Sequence, residues 1–218
     1  SKLNTLVKFV DTSFENYKIT ESSRAMTDFV DDLSNWYVRR SRERFWGKDM
    51  PQDKVNAYMT LYTVLTTMTK LSAPFIPFMA ENMYQNLVVK QCENAPKSVH
   101  LCDFPVADEA MIDANLEYNM DLVLSAVVAG RAARNTANIK NRQPIGNMYI
   151  KADKELDAMY LDIIREELNV KSVEFKEDVS AFTSYSFKPQ LRTLGKKYGK
   201  LVPVIGEYLK SHDGVKLM

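Results

Sequence analysis

The chain has 218 residues and a formal net charge of +1, so it can bury roughly 70% of its unfolded surface, but it lacks the overall basic excess that draws a protein to a polyanion. Cys92 and Cys102, with His100 between them, match neither a disulfide framework nor a zinc spacing, and no metal site is expected. LVLSAVVAG at 122 to 130 is too short to span a bilayer and SKLN opens no signal peptide, so a soluble protein of the reducing cytoplasm, without a membrane partner, is expected.

In chain order, Leu3, Leu6, Val7, Val10 and Phe14 recur at helical spacing, and the chain opens inside that pattern as a cut end would. Thr20, Glu21, Ser22 and Ser23 offer a cap for a second helix running to about Phe45, stopped by Gly47 and Pro51. A third helix extends from near Asp53 to Leu71. Pro74 and Pro77 then break the path before a fourth that reaches about Lys90. CENAPKSV is a connector, HLCDFPV a short extended segment, and a fifth helix starts at Asp113 or Asn115 and continues to about Asn141, because Pro144 disfavours helix at Gln143. Beyond it NMYIK, KSVEFK and TSYSFK read as strands, DKELDAMYLDIIREELN as an amphipathic helix, and a last helix follows Pro203. The fold class expected is mainly α, an antiparallel helical bundle followed by a small α+β module. Its parts are a bundle over 1–97, a connector and long helix over 98–144, and the module over 145–218.

Local charge says more than net charge. From 122 to 152 there is no Asp or Glu, yet Arg131, Arg134, Lys140, Arg142 and Lys151 fall there, whereas residues 11 to 32 are acid-rich. NWYVRRSRERFWG at 35 to 47 brackets four arginines with both tryptophans. On a wheel of 100° per residue, Arg40 and Arg44 fall inside the apolar arc of Met26, Phe29, Val30, Leu33, Trp36 and Tyr37, and Arg39 and Arg42 lie opposite, with Trp46. Trp36 is expected in the core. Two readings stand side by side for the outer pair: a solvated face, or a nucleic-acid contact in which guanidinium forks meet phosphate and an indole stacks a base. On the fifth helix Leu116, Met120, Val123 and Val127 form an apolar stripe that Arg131, Arg134 and Asn138 continue. Such a change suggests a helix leaving its packing partner to present cations, or one whose arginines meet the acidic segment. Asp31 and Asp32 point apart on a helix, LGKKYGK at 194 to 200 lacks the Walker spacing and reads as a basic turn, and neither histidine has a partner for acid–base work. No catalytic residue is expected.

LSNWYVRRSRERFW at 33 to 46, LSAPFIPFMAENMYQNL at 71 to 87, SVHLCDFP at 98 to 105, GRAARNTANIKNRQPI at 130 to 145 and FKPQLRTLGKKYGK at 187 to 200 occur in the order found in isoleucyl-tRNA synthetases. The chain resembles most closely the eukaryotic-type branch of that family. The first and fourth strings separate it from the valyl, leucyl and methionyl enzymes. The second is shared loosely among them all.

The resemblance implies a class I synthetase fragment, the helical anticodon-binding domain with part of the C-terminal junction region. HIGH-like and KMSKS-like strings are absent from these residues, so no isoleucine activation is expected of them. The function implied is binding of the anticodon stem-loop of tRNA(Ile), alongside the remaining domains of the full synthetase. ATP and magnesium are implied for the full enzyme and no cofactor for this part. Carried over by position, Arg39, Arg42 and Trp46 would meet the loop or backbone, and Arg131, Arg134, Asn135, Asn138, Lys140 and Arg142 the anticodon stem, with Lys196, Lys197 and Lys200 as weaker candidates. The alternative is a protein-interaction bundle that docks an acidic partner or another synthetase subunit.

Overall fold

In the computed structural model of the chain, residues 1–152, 154–178, 187 and 189–211 are described, the side chains of Lys196 and Lys210 excepted. The strand expected of TSYSFK falls almost wholly outside the described residues. The chain is mainly helical with a small two-stranded sheet, and it divides into two compact units, Ser1–Tyr118 and Asn119–Met218. That division falls inside a helix and does not coincide with the expected boundaries at 97 and 144.

The first unit is built on α1 (Lys2–Glu15), α2 (Ile19–Asp32), α3 (Arg42–Trp46), α4 (Gln52–Ser72) and α5 (Pro77–Tyr84). Its core joins Leu6, Val7 and Val10 of α1 to Met26 and Phe29 of α2 and to Val64, Met68 and Leu71 of α4. The i, i+3, i+4 spacing of these residues puts each set on one face, and burying that face is what stabilises helices of this length. Phe14 extends the core, with ring centroids 5.5 Å from Phe75 and 5.6 Å from Phe104. Pro77 sits in the first turn of α5, where its missing N–H costs nothing. The segment after α5 is tied back by Glu81, whose carboxylate accepts from Val99 N–H (2.9 Å), Gln85 Nε2 (2.7 Å) and Ser98 Oγ (2.8 Å). Those bonds, the Val99 amide foremost, hold its carboxyl below the usual range. HLCDFPV, expected to be extended, carries instead a 3-10 turn at Val99–Leu101.

Three helices depart from expectation. The fourth, expected to reach about Lys90, gives way after Tyr84 to a π-helical segment at Gln85–Val89. The second was expected to run unbroken from the Thr20 to Ser23 cap to Phe45. It starts earlier, at Ile19, with no side-chain cap, and gives way to a π-helical segment at Leu33–Val38. There Arg39 N–H reaches Ser34 O, an i→i+5 bond that packs an extra residue into the turn. Ser41 then leaves helical geometry (φ −84°, ψ 5°) and α3 restarts the path. The fifth helix, α6 (Ala114–Thr136), stops short of Asn141. Asn138 takes a left-handed conformation (φ 55°), and its N–H and that of Ile139 donate to Asn135 O (3.1 Å) and Arg134 O (2.9 Å). These paired 5→2 and 6→1 bonds satisfy the last carbonyls of the helix, with asparagine in the place usually held by glycine.

The second unit holds β1 (Ile145–Ile150), α7 (Ala158–Leu168) and β2 (Val170–Phe175), followed by α8 (Leu191–Tyr198) and α9 (Val202–Ser211). The strands pair in parallel with Ile145 opposite Val170, and the helix between them supplies the crossover a parallel pair requires. Tyr160, Ile164 and Leu168 of α7 are buried, as are Val123 and Val127 of α6. LGKKYGK, expected as a basic turn, forms the end of α8 and a following 3-10 turn.

Candidate nucleic-acid interface

On the first unit, α3 is a single short helix that would fray alone, and it is braced against α4 from several sides. Arg44 donates from Nε and Nη2 to the two carboxylate oxygens of Asp53, each at 2.7 Å, which holds that carboxyl below its usual range. The hydroxyls of Tyr37 and Tyr58 donate to Ala57 O (3.0 Å) and Phe45 O (3.2 Å), and the Phe45 and Tyr58 rings lie 5.0 Å apart. Buried Lys54 donates to Gly47 O, the carbonyl that follows the helix. What this bracing presents is Trp46, 75% exposed, with the Arg42 guanidinium 5.2 Å from its ring centroid. Arg39 is exposed as well. It donates from Nε to Asn35 O (2.8 Å) and lies 5.8 Å from the Trp36 ring. The wheel therefore separates the inward Arg44 from the outward Arg39 and Arg42, and Arg40 is partly buried. It fails at Val30, which is 48% exposed on α2, and at Trp36, which is only partly buried and lies within the π-helical turn that shifts the phase of the face.

On the second unit the basic stripe of α6 requires correction. Arg134 was expected to face RNA, yet it is only 3% exposed. Its Nη1 donates to Lys140 O and Gln143 O, both at 3.0 Å, and its Nη2 to Leu168 O and to Asn169 O at 3.2 Å. The last two acceptors close α7, so the guanidinium meets the negative end of that helix and satisfies carbonyls that have no partner within it. Arg134 therefore continues the buried row of Val123 and Val127, and the helix does not leave its partner at Gly130. A Cβ at Gly130 would lie 2.3 Å from Leu168 Cδ1. Arg131 is partly exposed and pairs at 2.6 Å with Glu167, whose side chain is 4% exposed. Its carboxylate lies on α7, not in the acid-rich segment at 11 to 32.

Asn135, Asn138, Lys140 and Arg142 are exposed. Lys197 and Lys200 are exposed on and after α8, and the Lys196 side chain lies outside the described residues. The sequence reading missed Asn169, left-handed at φ 49°, whose Nδ2 donates to Asn141 O (3.3 Å) and Arg142 O (3.0 Å). Its signal was an asparagine directly after an amphipathic helix, the position that favours this conformation. Among the described residues no group of His, Cys, Asp or Glu is placed to hold a metal, and no helix is long and apolar enough to cross a membrane.

Residues 1–150 match the family described as the anticodon-binding domain of tRNA ligase. The chain is 54% identical over 217 residues to an isoleucine-tRNA ligase of Clostridium novyi, covering 100% of this chain and 21% of that protein. It is 53% identical over 217 residues to that of Clostridium acetobutylicum, with the same coverage of 100% and 21%. Against isoleucine-tRNA ligase 2 of Bacillus cereus the identity is 41% over 213 residues, 96% of this chain and 20% of the relative. The chain thus spans about one fifth of the length of these relatives. With a match over more than half its length and a braced, exposed aromatic–arginine corner on its helical bundle, the chain belongs to the family of anticodon-binding domains of tRNA ligases.

Proposed function

We propose that the chain binds the anticodon stem-loop of tRNA(Ile) as a non-catalytic part of an isoleucine-tRNA ligase, orienting the tRNA for aminoacylation elsewhere in the full enzyme. The observation that carries this reading is Trp46, exposed on a helix fixed by Arg44, Lys54 and Tyr58 and flanked by Arg42. A rigid, exposed indole beside a guanidinium stacks a splayed base at low entropic cost and meets its phosphate with a fork of donors. Asn135, Asn138, Lys140 and Arg142 are assigned to the stem. Arg134 is withdrawn as a direct contact because it is buried, and Arg131 is secondary because it already pairs with Glu167. The reading places the chain in the cytoplasm and needs no cofactor for binding. ATP and magnesium would act in the catalytic region of the full ligase. We also infer the eukaryotic-type branch, from the overall resemblance of the five strings. That is a statement about sequence type, since the relatives named above are bacterial.

The test is filter binding of tRNA(Ile), with tRNA(Val) as competitor, between ~50 and ~200 mM salt. If Arg39, Arg42, Lys140 and Arg142 each neutralise one phosphate, log K falls against log salt with a slope of about −3 to −4. A chain that bound no tRNA while capturing an acidic protein would replace this reading with the protein-docking one. Equal affinities for the two tRNAs would assign recognition by this chain to shape and phosphate alone.

A further inference from the structure

The turn at 140–143 is gripped from inside by two side chains. Gln143 N–H donates to Lys140 O (2.9 Å), closing the turn. Arg134 Nη1 holds the carbonyls at both ends, of Lys140 and Gln143, each at 3.0 Å. Asn169 Nδ2 holds the two in the middle, of Asn141 (3.3 Å) and Arg142 (3.0 Å). All four carbonyls of the turn are thus accounted for by one guanidinium and one carboxamide. No peptide bond among the described residues is cis, so each N–H of the turn points away from the carbonyl that precedes it. The N–H of Asn141 therefore faces away from Arg134 and that of Arg142 away from Asn169, and neither donates to a described residue. Lys140 and Arg142 are exposed, and neither forms an ion pair with a described residue, unlike Arg44 and Arg131. Carbonyls turned in, amides turned out and two free cations make an electropositive surface that suits a phosphate group.

We propose that the turn at 140–143 is a phosphate-binding loop for the nucleic-acid backbone, with Arg134 and Asn169 as positioning residues that set its geometry without touching the ligand. This rests on the tRNA-binding reading and assigns one of its phosphate contacts to a defined loop. The arrangement also explains why an arginine is buried beneath a basic surface. Buried and bonded to carbonyls, Arg134 orders the turn while adding to the positive field above it.

The closing experiment is filter binding of a tRNA(Ile) transcript to the 218-residue chain at ~50 and ~200 mM salt. Four proteins are compared: wild type, Asn169→Gly, the Lys140→Ala, Arg142→Ala pair, and all three changes together. Glycine accepts the left-handed backbone of position 169 and alters no charge. Loss of one phosphate contact lowers the magnitude of the salt slope by about 1, so the wild-type to variant affinity ratio changes about threefold between the two salts. Asn169→Gly is expected to show that change although it removes no charge, and to show none on top of the Lys140→Ala, Arg142→Ala pair. A role confined to stability leaves the slope unmoved. If circular dichroism shows Asn169→Gly unfolded, Arg134→Lys replaces it, since one ammonium cannot hold the turn and the carbonyl end of α7 together as the two arms of the guanidinium do. Wild-type binding with an unchanged slope in the positioning variant overturns this inference alone. Absence of wild-type binding overturns it together with the reading beneath it.

Discussion

Arg39, Arg40, Arg42 and Arg44 fall within six consecutive positions and differ in what surrounds them: two are exposed beside tryptophans, and two are partly buried, one of these locked to Asp53. Period alone recovered the inward Arg44 and outward Arg39 and Arg42, since side-chain direction on a helix is fixed by spacing. It could not recover Arg134, because an arginine on a helix stripe reads the same whether it meets solvent or the carbonyl end of another helix. Only tertiary packing supplies those acceptors. The residue that decides the proposed function is Trp46. Trp46→Ala should lower tRNA affinity by about 1–3 kcal/mol while leaving thermal unfolding nearly unchanged, and Trp46→Phe should retain most of the affinity. Parallel binding isotherms and melts check both, and an alanine variant with wild-type affinity removes stacking from the account.

Among the elements, α6 meets α7 at Gly130, where a methyl group would stand 2.3 Å from Cδ1 of the buried Leu168. Alanine gains about 1 kcal/mol of helix propensity there, and overpacking costs about 1–3 kcal/mol, so the packing term wins. Gly130→Ala is expected to destabilise the second unit by about 1 kcal/mol, measured as a lower urea midpoint at unchanged m-value. A stabilised variant would mean that Leu168 swings away freely. Helices α1, α4, α6 and α7 and both described strands were legible because long amphipathic periods dominate local noise. The ends were less so. The π-helical turn at Leu33–Val38 has no composition signature, and the early stop of α6 depends on an asparagine taking a conformation more often given to glycine.

For the molecule as a whole, net charge of +1 means that any attraction to RNA comes from how charge is distributed rather than from its sum. The two compact units make a further expectation specific. Both tryptophans, Trp36 and Trp46, belong to the unit Ser1–Tyr118, whereas helices occur in both. Denaturant unfolding followed by tryptophan fluorescence and by far-ultraviolet circular dichroism should give non-coincident transitions, the fluorescence curve reporting the first unit alone. Coincident curves would show a single cooperative unit, joined through α6. The π-helical turn also bears on how such chains are compared with one another. One residue more or fewer within Leu33–Val38 rotates everything that follows by about 100°. Two ligases could therefore spell the same arginine-rich string and turn different letters of it toward the nucleic acid, so the string alone does not identify the reading face.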